Sequence, residues 1–457
     1  MFAHALMLAA ALAAAPRTMR LDYIHTGSAT EEHFALDGLA LEGEWPGRLD
    51  RSIDDTNLGK YLFEVIDRKT NRLLYSRGFA SVYGEWETTP EAKTLMRAFS
   101  ESVRFPASAG PVQVVVKKRD RENAFREVWS LVVDPASPTV DRSAPPAFKV
   151  WAVMKNGEPR DKVDLLLLGD GYTAAEMDKW HNDARRLTEL LFAVSPFKER
   201  RSAFNVWAID TPAEESGVSR PSDGIYRRSP LGASYDAFGS ERYVLTFGNK
   251  RLREIAAAAP YEFIEIVVNG RTYGGGGIFN LYATVAADNQ FAAYLFVHEF
   301  AHHFAGLADE YYTSDVAYGP STERLEPWEP NVTADSKAPR WADLIAPGTP
   351  LATPWPKEAF EEAQKQYQVQ RRAIRAGHRP EQEMEALFLR EMELETKLLG
   401  SAPNAGKVGA FEGAMYESRG YYRPQTDCIM FSRDPVGFCA VCRRAIERVI
   451  DLYSSGK

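Results

Sequence analysis

Two histidines and a glutamate occupy positions at which they could bind a metal ion. His298 and His302 are four residues apart, and Glu299 directly follows the first, in the run DNQFAAYLFVHEFAHHFAGLADEYY that begins at Asp288. On a helix, residues four apart lie on one face, so both imidazoles can reach the same ion. Zinc takes neutral imidazole nitrogens at roughly 2.0–2.1 Å in a tetrahedral site. The pattern predicts a helix that carries one zinc ion, with Glu299 beside it as a general base.

Spacing leaves two residues as the third ligand. In the metzincin motif HExxHxxGxxH, a glycine turns the chain so that the residue three positions later reaches the metal. Here Gly306 follows His298 by eight residues instead of seven, so the chain departs from that motif by one residue. Asp309 lies three residues after Gly306 and is the preferred third ligand, with Glu310 as the alternative. His303 lies on a different face of the helix and is predicted to be a surface residue or a partner behind the ligands.

The beginning of the chain is typical of an export signal. Residues 6–15, LMLAAALAAA, form an apolar run that is too short to span a bilayer and that ends in small residues. We therefore predict that residues 1–15 are a signal peptide and that the protein is secreted or periplasmic. No later run is apolar enough for stable membrane insertion, and no obligate partner is evident. The net charge of −8 argues against a nucleic-acid binder, which usually carries a basic surplus.

The three cysteines lie close together near the end of the chain, at 428, 439 and 442. An exported protein built on disulfides would use more cysteines and spread them along the sequence. The CxxC at 439–442 lacks a second CxxC or a histidine pair nearby, which disfavours a structural zinc site. We predict instead one local disulfide that joins Cys428 to Cys439 or to Cys442.

The elements that position these residues fall into two domains. Residues 18–142 contain several short strand patterns separated by turns, including 61–66 and 73–75 as a hairpin and 112–116 and 128–133 as a second pair. Such a series predicts a β-sandwich. A proline-containing linker at 143–146 separates this first domain from the second.

Residues 148–457 have a different character and are predicted to form the domain that holds the metal. The apolar run at 164–168 predicts a buried strand, and strand patterns recur at 205–209 and 263–268. Between them, Thr173 and Glu176 have the spacing of a capping box, which predicts a helix that extends to about Val194. The chain as a whole is thus predicted to be α+β.

A charged segment interrupts this second domain. Residues 357–399 are rich in Glu, Gln, Arg and Ala, and Gly377 and Pro380 divide them into two helical stretches. We predict an inserted helical hairpin that is largely solvated.

The motif and its surroundings resemble the IgA peptidases of family M64. The run HEFAHHFAGLADEYY resembles the signature of that family. Three segments resemble its N-terminal β domain: LDGLALEGEWPG, IDDTNLGKYLFEVID and YSRGFASVYGEWET. Three others resemble its catalytic domain: LLLLGDGYTAAEM, SPFKERRSAFNVWAID and YGGGGIFNLYA. Near the C-terminus, YRPQTDCIMF and FCAVC also resemble the family. The resemblance covers most of the chain after residue 15 except 357–399. It implies a metzincin-like zinc metallopeptidase fold with Met430 in a Met-turn beneath the metal.

Two further features are assigned to substrate. The glycine run before the metal-binding helix, with Gly275 and Gly276 at its centre, predicts an edge strand that pairs with extended substrate, because glycine allows close approach of another backbone. A tyrosine near the site could stabilise the oxyanion of a tetrahedral intermediate. Among Tyr311, Tyr312, Tyr421 and Tyr422, we favour Tyr422, which lies just before the expected Met-turn.

These expectations combine into a secreted zinc-dependent endopeptidase that acts on a protein or peptide substrate. Two alternatives remain open. One is a zinc hydrolase that uses the same helix to cleave a non-peptide amide. The other is a secreted binding module whose metal is structural, in which Glu299 would have no role.

Overall fold

A computed structural model describes residues 15–314, 316–317 and 323–455 of the chain. The predicted signal peptide, residues 1–15, lies outside the described residues except for Ala15. Among the helices in these ranges, none combines the length and the apolar character needed to cross a bilayer.

The N-terminal unit consists of seven strands and one short helix. In chain order they are β1 (Arg17–Gly27), β2 (Glu32–Glu44), β3 (Tyr61–Asp67), β4 (Leu73–Phe79), α1 (Val82–Trp86), β5 (Arg97–Pro106), β6 (Val112–Arg119) and β7 (Phe125–Val133). The strands form two antiparallel sheets, β2-β1-β5 and β4-β3-β6-β7. The predicted hairpin of β3 with β4 and the pairing of β6 with β7 are both confirmed.

Alternating burial explains why these two sheets pack together. Along β3, Tyr61, Phe63 and Val65 are buried while the residues between them are partly exposed. Side chains on a strand alternate between its faces, so one face of each sheet is apolar. Residues of both sheets, such as Leu21 of β1 and Val114 of β6, belong to one hydrophobic core, which is the arrangement of a sandwich.

The C-terminal unit contains the remaining strands and helices. The strands are β8 (Lys149–Met154), β9 (Val163–Asp170), β10 (Phe204–Asp210), β11 (Phe263–Val268), β12 (Gly275–Ile278), β13 (Tyr282–Ala286), β14 (Phe411–Ala414) and β15 (Glu417–Arg423). The helices are α2 (Met177–Leu191), α3 (Asn249–Ala256), α4 (Ala292–Ala305), α5 (Lys357–Ala376), α6 (Glu381–Gly400) and α7 (Ala440–Tyr453).

Six of these strands form the sheet on which the site is built, in the order β12-β13-β11-β9-β10-β8. The four inner strands are parallel, and β12 and β8 run antiparallel to their neighbours at the two ends. Every residue of β9 is buried, as expected for a strand covered on both faces. The strands predicted at 164–168, 205–209 and 263–268 are confirmed as β9, β10 and β11.

The local signals for helix ends act as predicted at two helices. Before α2, Thr173 and Glu176 form the capping box, with the Glu176 carboxylate accepting from the Thr173 backbone N–H at 2.9 Å. The helix ends at Leu191, three residues before the predicted Val194. Helix α4 ends at Gly306, whose φ of 59° is a left-handed conformation that glycine adopts without steric cost.

The inserted hairpin is present as α5 and α6, with many exposed residues but with one face packed into the core. Met384, Leu387 and Phe388 of α6 belong to the main hydrophobic core of the C-terminal unit. The ring of Phe388 packs edge-on against Tyr273, with centroids 4.9 Å apart. Composition did not reveal this because three of the seven buried residues of α6 are glutamates, so the segment as a whole has a charged composition.

The two units join beside the glycine-rich edge strand. The backbone N–H of Ala80 donates to the carbonyl of Phe279 at 2.9 Å, and the Asn280 side chain donates to the carbonyl of Gly78 at 3.0 Å. Val82, Tyr83 and Trp86 of α1 belong to the same core as the six-stranded sheet. The N-terminal unit therefore forms one wall of the space above α4.

Candidate metal centre

Helix α4 presents His298 and His302 on one face. Their Nε2 atoms are 3.1 Å apart, a proximity that the four-residue spacing allows. The two Nδ1 atoms contact backbone carbonyl oxygens, that of Ile429 at 2.9 Å for His298 and that of Leu307 at 2.5 Å for His302. Because a carbonyl oxygen only accepts, each Nδ1 is the protonated donor, and each Nε2 is directed toward the shared space.

The carboxylate of Asp309 completes this group. After the turn at Gly306, its Oδ1 lies 3.0 Å from Nε2 of His298 and 3.2 Å from Nε2 of His302. Ligands bound to zinc at 2.0–2.1 Å in a tetrahedron are separated by about 3.3 Å. The three atoms therefore have nearly the mutual separations that one zinc ion imposes.

The electrostatics of this group favour a positive charge at its centre. Asp309 is buried, and its Oδ1 accepts no hydrogen bond of acceptable geometry despite the two nearby nitrogens. Burial by itself lowers the pKa of His302, but the Asp309 carboxylate outweighs that effect and raises it to about 9. A proton or a metal cation must offset the buried carboxylate, so the donor set fits a divalent ion.

Glu299 lies beside these three residues and faces the cleft. Its side chain is half-buried, and its carboxylate is within 4.8 Å of the ligand atoms of both histidines. Burial raises the pKa of Glu299, while the charges of His298 and His302 act in the opposite direction. The carboxyl group is thus placed to exchange a proton with whatever lies next to the histidines.

The glycines of β12 allow α4 to pack closely. A Cβ atom at Gly275 would lie 2.9 Å from Cγ of Glu299, and one at Gly277 would lie 2.2 Å from the backbone oxygen of Glu299. Neither approach is possible for a residue with a side chain. The run of glycines therefore sets the distance between the edge strand and Glu299.

The predicted edge strand is present as β12, but part of its outer edge is already paired. Gly275 exchanges backbone hydrogen bonds of 3.1 Å with Arg242 and Val244, and the ring of Tyr243 covers Gly276. In an antiparallel ladder, alternate residues direct their N–H and C=O groups to opposite sides. Two residues after Gly275, the backbone N–H and C=O of Gly277 are therefore directed to the outer edge of β12, and Gly277 lines the cleft.

A hairpin outside the main sheet holds Asp309 from the other side. The hydroxyl of Tyr416 donates to Oδ2 of Asp309, and the backbone N–H of Met415 donates to the carbonyl of Asp309 at 3.0 Å. Met415 and Tyr416 form the two-residue turn between β14 and β15, with φ of 51° and 64°. Such turns favour Asn and Gly, so a methionine and a tyrosine here carry backbone strain at a candidate functional site.

Replacement of Tyr416 by phenylalanine is expected to weaken metal binding about 10–100-fold, because partners that orient a metal ligand typically contribute that much. The variant removes the hydroxyl that holds Asp309 and retains the ring. Competition with a chelator at fixed pH measures the affinity. Tyr226→Phe is the matched control, since Tyr226 is 70% exposed. Equal affinities in the two variants would show that Tyr416 does not support the ligand.

Glu310, the alternative third ligand, points away from the histidines. Its Oε1 accepts from the Asn331 amide at 3.0 Å and lies 3.3 Å from the sulfur of Cys442. The consecutive residues Asp309 and Glu310 thus direct their side chains to different groups, the first to the histidines and the second to the cysteines.

Tyr422 is not brought to the site. It lies on β15, and its backbone exchanges hydrogen bonds with Thr333 at 2.9 and 3.1 Å, on the far side of the hairpin from the cleft residue Tyr421. Tyr311 lies closer to the candidate metal ligands, with its ring stacked against that of His298 at a centroid distance of 6.3 Å. Its hydroxyl accepts from the Arg242 guanidinium at 2.9 Å. Tyr311 was one of the four candidate tyrosines, but no pattern in the sequence distinguished Arg242 from the other arginines.

His303 packs inside the fold, although its position predicted a surface residue or a partner behind the metal ligands. It is fully buried, its Nδ1 contacts the carbonyl of Ile278 at 3.0 Å, and its Nε2 accepts from the Ile264 backbone at 3.1 Å. Burial lowers the pKa of His303 to about 3, so the ring is neutral. It ties α4 to strands β11 and β12.

Met430 is buried in a turn that contacts the site through its backbone. The preceding carbonyl, that of Ile429, accepts from His298, and the carbonyl of Met430 accepts from the backbone N–H of Glu310 at 2.8 Å.

The predicted disulfide next to this turn is not formed. Cys428, Cys439 and Cys442 are all free thiols, and the sulfurs of Cys428 and Cys442 are 3.9 Å apart, compared with about 2.05 Å in a disulfide.

His298, Glu299, His302 and Asp309 line a cleft of about 520 Å³. Both units contribute to it, as do the segment 325–329 and the β14–β15 hairpin. Its volume is within the range of binding sites for small molecules, roughly 300–1,000 Å³. The N-terminal wall includes Lys60, Glu85, Arg119 and Asn123.

Comparison with known families covers both units. The family described as IgA Peptidase M64 matches residues 151–450, and the one described as Peptidase M64 N-terminus matches residues 12–130. No curated protein matches the chain. The first match extends over the six-stranded sheet, the candidate metal ligands and the three cysteines, and the second over nearly all of the sandwich. The chain therefore belongs to the IgA peptidase M64 family, whose members are metallopeptidases.

Proposed function

We propose that the protein is a secreted, zinc-dependent endopeptidase of metzincin-like architecture. The observation that carries the proposal is the convergence of Nε2 of His298, Nε2 of His302 and Oδ1 of Asp309 within 3.0–3.2 Å of one another, at the base of an open cleft. Three protein ligands and one position open to the cleft are what a catalytic zinc site has. Family membership supplies the peptidase class.

His298, His302 and Asp309 would hold the ion. When bound, zinc supplies a Lewis acid that polarises the peptide carbonyl and lowers the pKa of a water to about 7. The chain itself would orient these three ligands. The Nδ1–H groups of His298 and His302 donate to the backbone carbonyls of Ile429 and Leu307, and the hydroxyl of Tyr416 donates to Asp309.

Glu299 would be the general base and then the general acid. In its ionised form it accepts a proton from the attacking water, and in its protonated form it delivers that proton to the leaving amine. The burial that raises the pKa of Glu299 suits this exchange, because proton transfer is most efficient when the pKa is near the working pH.

Tyr311 replaces Tyr422 as our candidate for stabilising the oxyanion. Its hydroxyl accepts a hydrogen bond from Arg242, so its own proton is available to donate elsewhere, and both residues line the cleft. The Arg242 guanidinium adds positive charge to the same wall. The substrate would lie extended along β12, with backbone pairing from Gly277 onward.

Cleavage of a peptide library by the zinc-loaded protein tests this function. We expect cleavage of internal bonds in peptides blocked at both ends, loss of cleavage after treatment with a chelator, and its return when zinc is added. Mass spectrometry of the products measures all three. Equal cleavage before and after complete metal removal would refute the zinc dependence. A zinc-loaded protein that cleaves no peptide would favour a different amide hydrolase or a binding module.

Export is part of the proposal, and it has a separate readout. The apolar run at 6–15 supports a cleaved signal peptide. N-terminal sequencing of the protein from outside the cytoplasm should begin close to residue 16.

A further inference from the structure

A second group of metal-ligating side chains lies beneath the candidate catalytic site. The sulfurs of Cys428, Cys439 and Cys442 and a carboxylate oxygen of Glu310 all lie within 4.8 Å of one another. All four residues are buried, with Cys428, Cys442 and Glu310 fully inaccessible to solvent. They come from three segments: the chain after α4, the turn at 428–431 and the start of α7.

The separations within this group match a tetrahedral zinc site. Zinc–sulfur bonds of about 2.3 Å place two thiolates about 3.8 Å apart, and a sulfur and a carboxylate oxygen about 3.6 Å apart. The sulfurs of Cys428 and Cys442 are 3.9 Å apart. Oε1 of Glu310 lies 3.3 Å from the sulfur of Cys442 and 3.9 Å from that of Cys439.

The surrounding backbone is arranged to support charged sulfur atoms. The N–H of Cys439 donates to the sulfur of Cys428 at 3.2 Å, and the N–H of Cys442 donates to the sulfur of Cys439 at 3.4 Å. Cys439 is the N-cap of α7, and its sulfur therefore sits at the positive end of the helix dipole. Helix N-termini and Cys-x-x-Cys arrangements favour the thiolate, which is the form that binds metals.

The carboxylate of Glu310 is only partly satisfied in this interior. Its Oε2 is buried and makes no hydrogen bond, and no salt bridge within 4.0 Å joins Glu310 to a cation among the described residues. The nearby buried guanidinium of Arg423 donates instead to the carbonyls of Gly413 and Thr426. An isolated buried carboxylate costs far more free energy than one that coordinates a cation.

We propose that Cys428, Cys439, Cys442 and Glu310 bind a second, structural zinc ion. Three thiolates and one carboxylate fill a four-coordinate site without an open position, which is the closed coordination of a structural site. Soft sulfur ligands select zinc over magnesium, calcium or manganese. The single ion per chain expected from the sequence becomes two.

This second ion would also position the catalytic ligands, a role that rests on the proposed function. Glu310 directly follows Asp309, and Cys428 directly precedes Ile429, whose carbonyl orients His298. The backbone hydrogen bond from Glu310 to Met430 joins the two segments. Fixing Glu310 and Cys428 to one ion therefore fixes the positions from which Asp309 and Ile429 act.

Metal analysis of the full chain, purified without an affinity tag, tests the second site with all cysteines intact. We expect about two zinc ions per wild-type chain and about one in His298→Ala/His302→Ala, which retains only the second site. Replacement of zinc by cobalt in that double variant should give the intense near-ultraviolet charge-transfer band of thiolate ligation. Adding Cys442→Ser to the double variant should remove this band.

A folded double variant that holds no metal would overturn the proposal, whether its cysteines titrate as three free thiols or as one thiol and a disulfide. Retained cobalt without a thiolate band would also overturn it. The outcome is separate from the proposed function: a wild-type protein with the thiolate band but without peptidase activity would refute only the function. Circular dichroism of each variant establishes that it is folded.

Discussion

Glu299→Gln is expected to yield a folded, zinc-loaded protein whose kcat/KM for peptide cleavage is lower by about 10²–10⁴-fold, the usual contribution of general acid–base catalysis. Glutamine has the shape of glutamate but cannot take the proton from water. His298, His302 and Asp309 remain, so zinc content should not change. The result is measured with a fluorogenic peptide from the library, alongside metal analysis of the same preparation.

Glu393→Gln is the matched control for this change, because Glu393 is exposed on α6 and lies outside the cleft. It should retain wild-type activity. An activity of Glu299→Gln within a few-fold of this control would contradict the general-base role. Such a result would favour a binding module with a structural metal, in which a glutamate next to the ligands has no chemical task.

His302→Ala is expected to lose both the catalytic zinc ion and all measurable activity. Removal of one of three protein ligands leaves His298 and Asp309 alone, and the carboxylate of Asp309 loses one of its two imidazole neighbours. The fall in zinc affinity should exceed the roughly 10–100-fold that is typical of an outer partner such as Tyr416. Asp309→Ala is expected to behave in the same way.

His33→Ala provides the control, since the His33 side chain is 62% exposed on the N-terminal unit. Metal content and peptidase activity, measured on the same preparations, test whether His302 is a ligand of the catalytic zinc ion. We expect His302→Ala to hold about one zinc ion fewer than the control, with the thiolate site still occupied. Full occupancy of both sites and retained activity in His302→Ala would show that this histidine is not a ligand.

Features that depend on short stretches of chain could be predicted from the sequence. The four-residue spacing of His298 and His302 on a helix places both rings on one face whatever surrounds the helix. The capping box at Thr173 and the helix end at Gly306 follow from hydrogen bonds and backbone angles within a few residues. The alternation along β3 likewise indicates which face becomes buried.

Features that depend on which segments meet could not be predicted. Asp309 and Glu310 are both acidic and adjacent, and only the packing around them assigns one to the histidines and the other to the cysteines. Tyr416 reaches Asp309 because β14 and β15 are joined by a strained two-residue turn, for which the sequence has none of the usual turn residues.

The cysteines and the inserted hairpin show the same dependence on tertiary structure. Spacing along the chain suggested a disulfide, because Glu310, more than a hundred residues before Cys428, was not recognised as part of that group. The charged composition of α6 suggested solvation, although its apolar side chains meet Tyr273 and Phe291 in the core. The sequence by itself determined the helix, its two histidines and the glutamate between them, because those relations act over single helical turns. The placement of Asp309 beside the histidines, its contact with Tyr416 and the buried sulfur group were decided by contacts between segments distant in the chain, which local propensity does not encode.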